Sequence, residues 1–301
     1  MDTSSLALDS VKPKLINGKI VWSGGPSLKQ NFDLPVSIIY YMAKNPSTSE
    51  VYLKLIQSCK YFFEKLPLLV ATRMHGKTKI CRNKAVECRK QDGKCCIDID
   101  MKKLSTPIWL TEYLKLSKEN ISTFTSLIYP QLYQCKKVSL LINKDINFND
   151  FKSCSIFIND YSCFQNGRII DAVGNAVMLD KVLEMCPNVK YVRYLFGHNL
   201  SMFNGATMKK ICQLEHLHHL ESFTLLNIPD VINVEDISTF LTNHPNRKIS
   251  LFFAKEISEE YKIQLDAMID TVIKGEAAKH FILYAGLNEE KYKIMHARFL
   301  D

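Results

Sequence analysis

The stretch Leu183-Glu184-Met185-Cys186-Pro187-Asn188 closes a helical pattern and runs straight into the apolar segment Lys190 to Phe196. It returns as Leu241-Thr242-Asn243-His244-Pro245-Asn246, followed by Lys248 to Phe253, and the two prolines stand 58 residues apart, twice 29. Proline cannot continue a helix, so each phrase predicts a stop and then a strand. Working outward, helical patterns cover Val177 to Cys186, Ala206 to Leu214, Val234 to Leu241 and Glu259 to Ile273. Candidate strands centre near Trp109, Leu140, Phe157, Val192, Phe223, Leu251 and Ile282, at intervals of 31, 17, 35, 31, 28 and 31 residues.

A helix-then-strand unit of this length cannot bury its own apolar strand face, so neighbouring units must stack. Strands joined by helices pair in parallel, with right-handed crossovers. The predicted fold class is α/β, an irregular leucine-rich-repeat-like solenoid with a parallel sheet over residues 106–301. An open Rossmann-like sheet also alternates helix and strand, but no glycine-rich loop opens any of these helices.

The 301 residues, 47% apolar and 23% charged, describe a globular chain and exclude collagen, long disorder and a disulfide-dense mini-protein. No apolar run reaches the roughly 18 residues of a membrane span. Met1 to Ser10 lacks the apolar core of a secretory signal. The expected setting is therefore cytoplasmic or nuclear, with no membrane partner. In that setting Cys59, Cys135, Cys154, Cys186 and Cys212 read as small buried apolar residues.

The net charge of +8 is uneven. Arg73, Lys77, Lys79, Arg82, Lys84, Arg89, Lys90 and Lys94, with Lys102 and Lys103, face only Glu87, Asp92, Asp98 and Asp100 between residues 73 and 103. Such a basic patch attracts an acidic or phosphorylated protein, or nucleic acid, and equally suits a solvated hairpin edge. The hairpin is predicted from Ala85–Arg89 and Cys95–Ile99, which flank Gln91-Asp92-Gly93-Lys94. Cys81, Cys88, Cys95 and Cys96 share this segment, with His75 upstream. Their gaps of six, six and zero fit no zinc knuckle, and adjacent cysteines on a strand point to opposite faces. They are expected to pack strands and hold no metal. His216, His218 and His219 read as loop residues at a helix-to-strand junction. No GxGxxG, GxxxxGK[ST], HExxH or GxSxG motif occurs, so neither enzyme nor cofactor is expected. The aromatic residues fall mostly at core positions, which argues against nucleic-acid stacking.

The front of the chain differs. Residues 1–31 read as a loosely ordered leader, and residues 71–105 as a basic hairpin or linker. Between them, 32–70 form a helix–turn–helix unit: Leu34-Pro35 opens a helix through Ala43, Asn45-Pro46 stops it, and Val51 to Phe63 follows with Ser49 as the expected cap.

Leu34-Pro35, the apolar positions Ile38, Ile39 and Met42, and Cys59-Lys60 with Phe62 resemble the F-box. In wording and spacing they are similar to the divergent F-box-like proteins of the nematode-expanded type, and Leu66-Pro67-Leu68 resembles the tail of that motif. The resemblance covers about 40 of the 301 residues. It implies a non-catalytic substrate receptor of an SCF-type cullin–RING ubiquitin ligase. The helical unit would dock on the S-phase-kinase-associated adaptor through Leu34, Pro35, Ile38, Ile39, Met42, Ile56, Cys59, Lys60 and Phe62, and the repeats would hold a target protein. A repeat scaffold without a ligase role is the alternative.

Overall fold

The structure, a computed structural model, describes residues 14–16, 19–21, 31–75, 79–165, 167–197, 200–275 and 279–300. Of the expected leader, most lies outside the described residues, as does Lys77 of the basic patch. The protein is mixed α/β, built on a large, mostly parallel sheet with helices. No helix among the described residues is long and apolar enough to cross a membrane. The chain forms two compact units, residues 1–114 with 123–136, and residues 115–122 with 137–301.

In the first unit, β1 (Lys14–Ile16) and β2 (Lys19–Val21) pair antiparallel. Then come α1 (Val36–Lys44), α2 (Ser49–Ser58), α3 (Lys60–Lys65), β3 (Leu69–His75), β4 (Lys79–Cys81), α4 (Ala85–Lys90), β5 (Cys96–Asp98) and β6 (Ile108–Leu116), which belongs to this unit up to Leu114. β3 pairs with β6 in parallel, while β4 joins β3 and β5 antiparallel.

The helix expected from Val51 to Phe63 is two helices, because Cys59 takes an extended conformation between α2 and α3. Thr48, not Ser49, caps α2, its hydroxyl accepting the Val51 amide at 3.2 Å. Ile39, Ala43, Tyr52, Ile56, Phe62, Phe63, Leu68 and Trp109 form the core of this unit. Each large apolar side chain so buried contributes roughly 1.5–3 kcal/mol.

The predicted hairpin strand Ala85–Arg89 is instead helix α4. Asp92 and Gly93 both have positive φ, 48° and 75°, and the Gly93 amide returns to the Cys88 carbonyl at 3.0 Å. An Asp-Gly pair supplies left-handed residues to a tight hairpin and to a helix C-terminus alike. Here it ends the helix.

In the second unit, α5 (Lys118–Ile121) precedes β7 (Leu132–Ile142), which belongs to this unit from Lys137 on. β8 (Ile146–Asn147), α6 (Phe148–Ser155), β9 (Tyr161–Gln165), β10 (Ile169–Ile170), α7 (Leu179–Glu184), β11 (Tyr191–Leu195), α8 (Thr207–Cys212) and β12 (Ser222–Ile228) follow. The unit closes with α9 (Val234–Asn243), β13 (Lys248–Phe253), α10 (Glu259–Lys274), β14 (His280–Leu283) and α11 (Glu289–Leu300).

The strands lie in the order β14-β13-β12-β11-β9-β7, all pairs parallel. Leu140, Ser162, Val192, Phe223, Ile249 and His280 stand in one row across them. With strands added steadily to one side, right-handed crossovers put the connecting helices on a single face. In keeping with that, α7 packs on α8, α8 on α9, α9 on α10 and α10 on α11.

The strand expected near Phe157 lies a few residues later, as β9. Asn147 caps α6 by accepting the Asn149 amide at 2.8 Å, so the apolar run at Cys154 finishes a helix. The Asn159 side chain then accepts the Val138 amide at 2.7 Å and sets the turn into β9. Along the strands, Val192, Tyr194, Phe223, Leu225, Ile249 and Leu251 are buried. Tyr191, Leu195, Thr224, Leu226 and Phe252, which alternate with them, are only half-buried, and Arg193 is exposed.

Candidate functional site

α1 starts at Val36 behind Pro35, whose φ of −53° suits a helix entrance. Only Ile39 and Ala43, one turn apart, are buried. The rest of its apolar surface is open: Leu34 at 50% exposure, Ile38 at 47% and Met42 at 37%, joined by exposed Val36, Tyr40 and Tyr41. A helix held by one narrow stripe leaves a contiguous greasy face, which monomeric proteins seldom keep without a partner.

The structure divides the nine residues expected to meet an adaptor. Leu34, Pro35, Ile38 and Met42 are on the surface, and Cys59 and Lys60 are half-buried. Ile39, Ile56 and Phe62 are sealed in the unit's own core, which corrects the expectation that they offer a docking surface. The reason is local. Ile39, Ile56 and Phe62 share one core with Ala43, Tyr52, Phe63, Leu68 and Trp109, which closes the three short helices on themselves.

The basic patch is likewise divided. Lys79, Arg82, Lys84, Arg89, Lys90 and Lys94 are exposed. Arg73, by contrast, is buried at 6% exposure.

What Arg73 faces is a cluster of thiols. Cys81 ends β4 and stands directly opposite Cys96, the first residue of β5. Cys88 comes from α4 and Cys95 from the turn before β5. All four Sγ atoms lie within 4.8 Å of one another, with Cys81 and Cys95 at 3.4 Å and Cys88 and Cys96 at 3.5 Å. His75 Nε2 is 3.7 Å from Cys96 Sγ. Arg73 donates from Nη2 toward Cys81 Sγ at 3.8 Å and from Nη1 to Tyr113 Oη at 3.3 Å, while its Nε has no partner.

Desolvation pushes the Cys81 thiol up, yet the Asn83 amide, Cys95 and Arg73 overcome it and hold the thiol at about 7. Cys95 and Cys96 are pushed up to about 11 and about 12, first by desolvation and then by hydrogen bonding to Cys81 and Cys88 respectively.

The expectation that these four cysteines cannot converge is corrected. Cys95 lies outside the strand, so strand alternation does not separate it from Cys96. The helical turn of α4 swings Cys88 back over both. A signal for α4 was present: Glu87 in the first turn with Arg89 and Lys90 in the last suits a helix dipole.

Of the five cysteines expected in apolar sites, Cys154 and Cys186 are buried and Cys59, Cys135 and Cys212 half-buried. His216 hydrogen-bonds the Leu183 carbonyl at 3.0 Å, tying its turn to α7. At the C-terminal ends of β13 and β14 an open cavity of about 310 Å³ is lined by Phe252, Phe253, Lys255, Leu283, Tyr284 and Ala285. Compared with known proteins, the chain matches no family model, no curated protein and no solved structure.

Proposed function

We propose that this chain is a non-catalytic receptor that brings a target protein to a cullin–RING ubiquitin ligase of the SCF type. In this reading the F-box-like helical unit docks on the S-phase-kinase-associated adaptor, and the helix–strand region, stacked as irregular leucine-rich-repeat-like units, presents its half-open strand face to the target. The observation that carries the reading is the exposed face of α1, where Leu34, Ile38 and Met42 lie open beside Val36, Tyr40 and Tyr41. A specific interface covers around 800 Å² per partner, with most of the energy in a central cluster, and an apolar helix face of this kind supplies such a centre.

Mixing the purified chain with the purified adaptor tests it. Submicromolar binding, weakened at least tenfold by the double substitution Leu34→Ala and Pro35→Ala, is the expected result. No binding by the unaltered chain removes the reading.

A scaffold without a ligase role is the second reading. It is favoured by the exposed Lys79, Arg82, Lys84, Arg89, Lys90 and Lys94, none of which forms an ion pair among the described residues. An acidic or phosphorylated partner held there is released between low and physiological salt; binding indifferent to salt excludes it.

A further inference from the structure

We propose that Cys81, Cys88, Cys95 and Cys96 form a structural zinc site, closing one Zn²⁺ ion in four thiolates. This inference is independent of whether α1 docks an adaptor.

The geometry comes first. Zinc takes sulfur at about 2.3 Å in a tetrahedron, which places the sulfurs about 3.8 Å apart. The four Sγ atoms already sit within 4.8 Å of one another, two of the pairs at 3.4 and 3.5 Å. Side-chain adjustments of no more than about 1 Å in any sulfur–sulfur distance complete the tetrahedron. Four protein sulfurs leave no open coordination position, which marks a structural rather than a hydrolytic centre.

β4 and β5 have three residues each and α4 has six. Elements this short do not hold themselves together. Small modules that cannot bury enough apolar surface use a metal instead, and the binding energy becomes folding energy. The four ligands come from β4, α4, the turn before β5 and its first residue, so one ion pins all three elements.

Arg73 is buried and has no carboxylate partner among the described residues. Buried arginines are almost always paired. A zinc ion with four thiolates carries a net charge of −2, which supplies the missing counter-charge at the sulfur Arg73 already faces. Its N–H toward Cys81 Sγ, and the His75 ring beside Cys96, are the outer hydrogen bonds that such centres use to orient their ligands. Oxidation to two disulfides, Cys81 with Cys95 and Cys88 with Cys96, is the competing outcome. It would leave Arg73 buried opposite neutral sulfur.

The test uses the full chain, purified without added chelator. Elemental analysis is expected to find one zinc per chain. Exchange for Co²⁺ is expected to give the visible bands of a tetrahedral cobalt ion together with intense near-ultraviolet sulfur-to-cobalt charge transfer. Cys88→Ser and Cys95→Ser should each lose most of the zinc, whereas Cys212→Ser, in the second unit, should keep it. Arg73→Met should weaken zinc 10- to 100-fold in a chelator competition. If the serine variants do not fold, cobalt titration of the unaltered reduced chain decides alone. Stoichiometric iron, an absence of the cobalt–thiolate bands, or an intact mass four hydrogens light would each overturn the proposal.

Discussion

Ile38 and Ile39 are neighbours on α1, yet the first is 47% exposed and the second 4%. One residue of helical rotation separates a side chain that faces solvent from one that touches the core around Tyr52 and Phe62. Ile39→Ala is therefore expected to destabilise the fold by about 2–5 kcal/mol, the range for emptying a packed aliphatic site. Ile38→Asp should change stability by no more than about 0.5 kcal/mol, while abolishing adaptor binding. Urea unfolding of both variants, beside the binding assay, checks the pair. Equal destabilisation would mean that the α1 face is structural.

Tyr52 ties the helices to the strand that follows them. Its hydroxyl accepts the Leu68 amide at 2.9 Å and donates to the Leu66 carbonyl at 2.9 Å. Burial pushes the phenol up to about 12, so it keeps its proton. Tyr52→Phe keeps the ring but strands the buried Leu68 amide, at a cost of about 1–3 kcal/mol. An unchanged urea midpoint would refute this.

Gly167 sits where a side chain has no room. A Cβ there would approach the Lys144 backbone nitrogen to 2.5 Å, its oxygen to 2.7 Å and Ile142 Cγ2 to 2.8 Å. Two of the three are backbone atoms and cannot swing aside. Gly167→Ala should cost about 1–3 kcal/mol through forced backbone movement, read as a lowered Tm. A variant as stable as the parent would show that this loop can yield.

His280 carries the pH dependence. Burial, the largest influence, lowers its pKa below 6.5, and its Nε2 donates to the His244 carbonyl at 3.1 Å, leaving Nδ1 without a partner. Well above pH 6.5 the ring is neutral in both folded and unfolded chains. As pH falls below that value the unfolded chain takes up a proton first, so stability declines until the folded-state pKa is passed. Unfolding free energies at pH 7.5 and 5.5 should differ more for the unaltered chain than for His280→Gln. Identical differences would assign the slope to other groups.

The alternation of helix and strand from Val177 onward was legible in the residues alone. Each helix is announced by its own apolar period, two of them are stopped by a proline, at Pro187 and Pro245, and both signals act within a few residues. The strands at Val192, Phe223, Leu251 and Ile282 needed no distant information. Where a single local signal served two structures, sequence reasoning failed. Asp92-Gly93 fits a hairpin and a helix end equally, and in the folded unit it ends α4, which buries Cys88. The apolar pattern of α1 showed a greasy helix but not which stripe turns inward; Ile39 and Ala43 do, into a core that includes Trp109 from far along the chain. The spacing of Cys81, Cys88, Cys95 and Cys96 hid a convergence that β4, α4 and β5 create by folding back on one another. Local propensity acts through neighbours in the chain, whereas burial and the meeting of four thiols depend on neighbours in space.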